Sequence, residues 1–300
     1  MRPIDRYSVA GGKSDDKEHA GLPEISGIHC SSLRRYRSLI SGGGDDVNIQ
    51  IAADKTPQAK EVSGDKRTRK SESVFQDLKG RILTGQLRQD SPMTEQSLAK
   101  DYACSQSTIR EALMLLQEGG LVVRKGYQGT FVTDPSVSEA LLLLRLRVNL
   151  ETTGIMEAVK KITPCKLAEL RDLDRQFVEA RSQRDVFTCS EIDRDFHLQI
   201  FKLAGMPALD SMLVRTLMML QRIMLPNPRP DEAWTHPDIV QHDLLLDALE
   251  ARNDKAAVKA LKDHVFSSAT LLAKQYYGRD PVALRALCER EPDQVVLEGL

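Results

Sequence analysis

The spacing of apolar residues divides the chain into stretches of different character. Residues 1–70 keep no helical or strand period and contain runs of glycine and aspartate, which predicts a mostly disordered extension. Helical spacing begins near Ser73, and the pattern over residues 71–134 predicts three helices followed by two short strands. Residues 135–278 follow a helical pattern throughout and predict an all-α bundle. Residues 279–300 predict a short helix within a loose C-terminal tail. The expected fold is therefore mainly α.

The third predicted helix has a buried face and a polar beginning. Apolar side chains recur at i, i+3, i+4 and i+7 on one stripe, which consists of Ile109, Ala112, Leu113 and Leu116. Small polar and basic residues lie off that stripe at the start of the helix, namely Ser105, Gln106, Ser107, Thr108 and Arg110. A glycine pair ends the helix, and a hairpin with glycine at its bend follows. This order of elements predicts a winged helix-turn-helix over residues 71–134, whose third helix enters the major groove of DNA.

The polar residue types at the start of this helix suit base and phosphate recognition. Glutamine can bond adenine, arginine can bond guanine, and hydroxyl groups suit phosphate oxygens. The predicted hairpin tip adds Arg124, Lys125 and Tyr127, and Gly129 permits a close approach to DNA. Taken alone, the third helix is more typical of an ordinary capped helix with a polar start. Its combination with a basic hairpin favours double-stranded DNA as the partner.

One carboxylate and three histidines form a second set of candidate functional residues. Asp193 and His197 are four residues apart, which places them one turn apart on one helix face. His242 and His264 each lie eleven residues from a turn at Asn253, so they sit at about the same height in an antiparallel helix hairpin. Such a donor set suits a divalent metal ion such as zinc, nickel or manganese. The alternatives are a surface i,i+4 pair and histidines that are simply hydrogen-bonded within the core.

Several short motifs of the predicted winged helix are similar to those of one family. They are Ser91-Pro-Met-Thr94, Leu98-Ala99, Cys104-Ser-Gln-Ser-Thr-Ile-Arg-Glu-Ala-Leu113, Gly120-Leu-Val122 and Gly129-Thr-Phe-Val132. Together they resemble the DNA-binding domain of the GntR family of transcription regulators, over residues 72–133. The resemblance implies that Arg110 contacts DNA and that Gly129 approaches the minor groove. Many members have arginine at the position of Gln106.

The helical second part resembles the FCD effector domain of the FadR-type branch of that family. The motifs are Arg147-Val-Asn-Leu-Glu151, Asp193-Arg-Asp-Phe-His197 and the histidines at 242 and 264, and the resemblance covers residues 136–275. It implies four metal ligands, Asp193, His197, His242 and His264, and a pocket beside the metal for an organic-acid effector. Arg147 is a candidate for holding the effector's carboxylate. The alternative role for Arg147 is a structural ion pair with Glu151.

Composition narrows the class of protein. The 42 Lys and Arg nearly balance the 43 Asp and Glu, so a DNA-binding surface must be local. The five cysteines include no C-x-x-C pair, which favours a reducing cytoplasm over a disulfide framework. No apolar run approaches the ~20 residues that a membrane span needs, and the N-terminus lacks the apolar core of a signal peptide.

These features predict a transcription regulator rather than an enzyme. A homodimer would bind an inverted-repeat operator as a repressor, and an effector at the metal would shift the relative placement of its two DNA-binding parts. One alternative is a DNA-binding regulator whose metal is purely structural. A second alternative is a metal-dependent hydrolase. The absence of a His-Glu-x-x-His general base and the presence of a winged helix disfavour it.

Overall fold

The structure is a computed structural model that describes residues 61–89, 91, 93–226, 242–271 and 280–289. Within these ranges the chain forms ten α-helices and one β-hairpin, whose connection contains a short 3-10 helix (Gly126–Gln128). In chain order they are α1 (Glu61–Leu83), α2 (Glu95–Asp101), α3 (Gln106–Glu118), β1 (Val122–Arg124), β2 (Thr130–Val132), α4 (Val137–Lys161), α5 (Pro164–Ser182), α6 (Val186–Ala204), α7 (Pro207–Met224), α8 (Asp243–Glu250), α9 (Asp254–Leu271) and α10 (Pro281–Glu289). The predicted mainly α fold is confirmed.

The elements from α1 to β2, called the reading head below, form a winged helix-turn-helix. Helices α1 and α2 pack on α3. The predicted stripe of α3 is buried and consists of Ile109, Ala112, Leu113 and Leu116. The two strands are antiparallel, with Val122 opposite Val132. The connection between them includes Gly126 at φ 50° and Gly129 at φ 106°, a backbone region that favours glycine. The wing is therefore a short hairpin whose bend depends on these two glycines.

Helices α4 to α10 form a bundle around α4. This long helix packs against α6, α7, α9 and α10. It begins at a capping box in which Ser136 Oγ accepts from the backbone of Glu139 and the Glu139 carboxylate accepts from the backbone of Ser136. Its apolar face lies in a large cluster that also holds residues of α5 to α10. None of the described helices is both long and apolar enough to cross a membrane.

Helix α1 begins at Glu61, well before Ser73, where the apolar pattern starts. Residues 61–70 are therefore helical, whereas the sequence pattern placed them in a disordered extension. Once Phe75 is buried and the helix is nucleated, each added residue gains one backbone hydrogen bond, so the helix extends beyond its apolar stripe. The prediction for residues 1–60 lies outside the described residues.

The predicted C-terminal tail contains an ordered helix. Helix α10 packs on α4 and α9 and buries Leu284 and Cys288. The short helix expected within residues 279–300 is thus part of the bundle's core.

The reading head packs against α6 and α7 of the bundle. Apolar residues of both parts share one cluster, which includes Phe75, Leu83, Leu213 and Met218. The buried Lys79 of α1 forms an ion pair with Glu191 of α6. Arg215 of α7 donates from Nη1 to the carbonyl oxygens of Gln117, at 2.9 Å, and Glu118, at 3.0 Å, at the end of α3. The two parts are therefore joined by both apolar and polar contacts.

Candidate metal centre and nucleic-acid interface

Four residues from separate parts of the bundle meet in its interior. Asp193 and His197 lie on α6, His242 precedes α8, and His264 lies on α9. All four are buried, and one ligand atom from each lies within 4.8 Å of the others. The structure thus brings together the four residues that the sequence proposed as metal ligands, and they are called the candidate metal centre below.

The three imidazoles approach the same carboxylate oxygen. The distance to Asp193 Oδ1 is 3.1 Å from His264 Nε2, 3.3 Å from His242 Nε2 and 3.7 Å from His197 Nε2. The His242 ring also stacks on Phe196, with 4.0 Å between ring centroids, which fixes its plane. Because every histidine presents its Nε2 to one point, the cluster resembles the inner coordination shell of a metal more than a set of independent core contacts.

Two further carboxylates lie behind the histidines. Glu151 of α4 bonds Nδ1 of His197, and Asp174 of α5 bonds Nδ1 of His242 with 2.9 Å between Oδ1 and Nδ1. A proton held on Nδ1 by a carboxylate leaves the lone pair of Nε2 for a metal ion, and such outer partners orient metal-binding histidines in proteins. The sequence analysis missed Asp174 and considered Glu151 only as a partner of Arg147. Neither carboxylate has a spacing signal, since each lies on a different helix from its histidine.

The electrostatics of the centre favour a cation. Burial opposes charge on His197, but the Glu151 and Asp193 carboxylates together outweigh it and raise the pKa of His197 to about 9. Burial likewise opposes the charge of Asp193, yet His197 holds the pKa of that carboxyl well below its usual range. Burial, followed by the nearby His242, lowers the pKa of His264 to about 4, so its imidazole is neutral at pH 7. The centre therefore favours positive charge, and an ion bound there would displace the proton that His197 carries on Nε2 at neutral pH.

The residues present fit a divalent metal ion. One carboxylate and three imidazoles are a common donor set for zinc, nickel and manganese. His197 Nε2 is buried and makes no hydrogen bond within the described part of the chain, and Asp193 Oδ1 lies 3.7 Å from it. A bound ion would supply the missing bond.

Arg147 borders the candidate metal centre through two carboxylates. Its Nε donates to Glu151 Oε1 at 2.7 Å, and its Nη2 lies 3.8 Å from Asp193 Oδ2. The ion pair with Glu151, which the sequence analysis weighed as the alternative to effector binding, is thus present. Burial opposes the charge of Glu151, but His197 and Arg147 outweigh it and lower the pKa of Glu151 to about 2.

The start of α3 carries the predicted DNA-reading residues in two different settings. Gln106 and Arg110 are exposed, and Ser107 is partly exposed. Ser105 caps the helix, since its Oγ accepts from the backbone of Thr108 at 3.2 Å. Thr108 itself is only 4% exposed, and its hydroxyl lies 2.9 Å from Ser105 Oγ. Its side chain therefore belongs to the cap rather than to the outer face that the sequence assigned to it.

The wing and two neighbouring residues complete the outer surface of the reading head. Arg124 and Lys125 are exposed, and open space surrounds the position where a Cβ would stand at Gly129. The side chain of Tyr127 lies outside the described part of the chain. Met114, which the sequence analysis did not consider, is exposed one turn after Arg110 on the same face of α3. An apolar side chain exposed beside polar ones is the signal that could have marked it.

Two family models match the chain in the regions just described. One, "Bacterial regulatory proteins, gntR family", matches residues 70–132, and the other, "FCD domain", matches residues 142–267. The chain belongs to the GntR family of bacterial regulatory proteins. As a GntR regulator with an FCD domain it binds DNA and regulates transcription, as its sequence predicted.

Relatives support this assignment over most of the described chain. The HTH-type transcriptional regulator McbR of Escherichia coli (strain K12) is 26% identical over 206 residues, which cover 68% of this chain and 92% of that protein. The solved structure of E. coli McbR/YncC has a TM-score of 0.58 and covers 69% of this chain and 98% of that one. The HTH-type transcriptional repressor NagR of Bacillus subtilis (strain 168) is 36% identical over 69 residues, 23% of this chain and 28% of that protein. McbR is named a transcriptional regulator and NagR a transcriptional repressor, and neither is named as an enzyme.

Proposed function

We propose that this GntR regulator is a homodimeric, cytoplasmic repressor whose affinity for DNA is controlled by a small carboxylate effector at a divalent metal ion. The observation that carries the proposal is the convergence of four buried donor groups, from Asp193, His197, His242 and His264, inside the FCD domain. The NagR relative is named a repressor, which supports repression rather than activation.

The four residues of the candidate metal centre would hold the ion, which is zinc, nickel or manganese. When bound, the ion supplies a Lewis acid to which an effector carboxylate can attach. Arg147 borders the centre and offers a guanidinium to a second carboxylate oxygen of the effector. Glu151 and Asp174 would keep the His197 and His242 rings in their binding orientation.

Helix α6 offers a direct route from the candidate metal centre to the DNA-reading surface. It carries Asp193 and His197 and also Glu191, which pairs with the buried Lys79 of the reading head. A ligand that favours one position of α6 would therefore favour one position of α1. Such control requires that the effector bind one arrangement better than the other.

An exposed stripe on α4 supports assembly with a second copy of the chain. Leu142, Leu146, Asn149, Thr153 and Met156 follow one another at alternating intervals of four and three residues. None of these side chains is buried, and Leu142 and Met156 are among the exposed large apolar residues. This heptad spacing suits pairing of two identical helices, in which a single asparagine sets the register. A twofold dimer would present two reading heads to an inverted repeat.

Within each reading head, α3 would enter the major groove and the wing would follow the backbone or minor groove. We assign base and phosphate contacts to an outer face made of Ser105, Gln106, Ser107, Arg110, Arg124, Lys125 and Gly129. From its place at the hairpin tip in the sequence, Tyr127 is assigned to the same role.

The test of the proposal is the metal content of the purified protein, measured by mass spectrometry beside the Asp193→Ala/His264→Ala variant. We expect about one ion per chain in the wild type and none in the variant. Absence of metal from the wild type, after purification without chelators and incubation with zinc, nickel and manganese in turn, would overturn the metal-centred part.

A second candidate function is a GntR regulator whose metal is purely structural, which the complete burial of the four donors favours. Thermal unfolding with a panel of organic acids separates the two. A true effector at 100 times its dissociation constant adds roughly 2.7 kcal/mol of stability, whereas a structural centre gives no shift with any acid.

A further inference from the structure

Arg110, the residue proposed to read DNA from α3, is held by a carboxylate of the preceding helix. Its Nε donates to Glu95 Oε1 at 3.1 Å, and its Nη2 donates to Glu95 Oε2 at 2.7 Å. Two parallel bonds between a guanidinium and a carboxylate fix both the position and the plane of the guanidinium. Glu95 is the first residue of α2, and the Thr94 cap, whose Oγ1 accepts from Ser97, anchors the start of that helix.

The bonds between Arg110 and Glu95 engage only one edge of the guanidinium. A guanidinium has five N–H donors, and the bonds to Glu95 engage the edge formed by Nε and Nη2. Among the described residues, no other hydrogen bond engages the end formed by Nη1 and the second hydrogen of Nη2. That end matches the N7 and O6 acceptors of guanine, which arginine binds with two bonds in the major groove.

The exposed fractions of the Arg110 and Glu95 side chains indicate how the pair is oriented. The side chain of Arg110 is 56% exposed, whereas that of Glu95 is 23% exposed. The carboxylate therefore lies on the inner side of the pair and the guanidinium on the outer side. The hydrogen bonds from Arg110 also lower the pKa of Glu95, so the carboxylate is ionised at neutral pH.

We propose that Glu95 is a positioning residue for DNA recognition, which holds the Arg110 fork outward so that it selects guanine at one base pair of each half-site. The inference rests on the proposed reading role of Arg110 and adds the residue that sets its geometry. An arginine held in advance loses less side-chain entropy on binding than a free one, and it cannot swing to a neighbouring phosphate.

Two other roles of Glu95 give the opposite result. If the carboxylate only adds negative charge near DNA phosphates, its neutralisation strengthens binding to every duplex. If it competes with DNA for Arg110, its neutralisation strengthens binding to the preferred duplex most of all. Positioning alone predicts weaker binding to the preferred duplex together with a loss of guanine preference.

The experiment starts by selecting high-affinity duplexes from a randomised library with the full wild-type chain. Dissociation constants are then measured for the selected duplex and for duplexes in which each G·C pair is replaced in turn. We expect one replacement to weaken the wild type ~10-fold or more, as for the loss of a bidentate arginine–guanine contact. Glu95→Gln should bind the selected duplex ~5-fold to 20-fold more weakly and lose most of that discrimination. The reason is that an amide has one acceptor oxygen, so at most one of the two hydrogen bonds from Arg110 remains.

Three controls make the result decisive. Asp101→Asn removes the same charge at the exposed far end of α2 and should keep the discrimination. Circular dichroism shows that each variant is folded. In an Arg110→Ala background, Glu95→Gln should change no base preference, because the side chain it positions is gone.

The outcomes are distinguishable. If Arg110→Ala keeps full guanine discrimination, the reading role of Arg110 fails and the positioning role with it. If Arg110→Ala loses discrimination but Glu95→Gln keeps it, or binds the selected duplex as tightly as the wild type, the positioning role alone is overturned.

Discussion

The outer face of α3 and the candidate metal centre present their polar residues in contrasting ways. On α3 the polar residues are neighbours in sequence and all but Thr108 face outward, and Arg110 pairs with a neighbouring side chain, Glu95. In the centre they come from different helices, are buried, and have outer partners on two more helices. A surface that reads DNA needs one well-capped helix, whereas a buried ion site needs the whole bundle to be in place. Substitutions in the two regions should therefore impair different properties, DNA recognition on α3 and metal binding in the centre, and by different amounts.

The largest effect should come from removing a ligand of the candidate metal centre. His242→Ala should abolish metal binding, because its Nε2 is one of three that converge on Asp193 Oδ1. The reading head should keep its affinity for DNA phosphate, measured at low salt. The matched control is Asp243→Ala, the exposed next residue, which should retain about one ion per chain by mass spectrometry. A full complement of metal in His242→Ala would show that His242 is not a metal ligand.

The junction between the two regions gives the next largest effect. Lys79→Ala removes one of the two buried cations that pair with Glu191, the other being Arg194, and should lower the free energy of unfolding by about 2–3 kcal/mol. The paired change Lys79→Met/Glu191→Gln removes both charges but keeps an acceptor oxygen for Arg194, so it should recover part of that loss, while weakening any effect of an effector on DNA affinity. Urea unfolding measures the first quantity. A loss no greater than that of Lys100→Ala, an exposed lysine of the reading head, would contradict the prediction.

A smaller effect is expected from the outer partners of the candidate metal centre. Asp174→Ala should weaken metal binding ~10-fold to 100-fold without abolishing it, because Asp174 orients His242 but does not face the ion. Competition with a chelator of known affinity measures the change. Asp172→Ala, on the same helix but pointing to Arg175 and Gln176, serves as the control and should bind metal normally. Equal affinity in both variants would argue against the orienting role.

The smallest effect distinguishes the cap of α3 from its reading face. Thr108→Val should cost at most about 1 kcal/mol of stability and leave the base preferences unchanged, because the hydroxyl is buried against Ser105. Gln106→Arg, at an exposed position of the same helix, should alter the sequences recovered from a randomised duplex library. Altered base preferences in Thr108→Val would instead show that Thr108 contacts DNA.

Local pattern was enough for most of the reading head. The stripe of α3 that begins at Ile109 and the glycines of the wing follow from helix period and turn chemistry, which act over a few residues. The pattern failed where a helix extends beyond its apolar stripe, as at Glu61, and where a polar residue turns inward, as at Thr108. Both outcomes depend on neighbours that composition and period do not reveal.

By itself, the sequence determined the fold class, the family, and the identity of the four residues that now meet around Asp193. It could do so because Asp193 and His197 share one helix face and the other two histidines flank a single turn. Only the tertiary structure decided that Glu151 and Asp174 stand behind two of the histidines, that Lys79 reaches Glu191, and that Glu95 holds Arg110. Lys79 and Glu191 are 112 residues apart in the chain. Pairing across such a separation is set by how whole helices pack, which no local periodicity encodes.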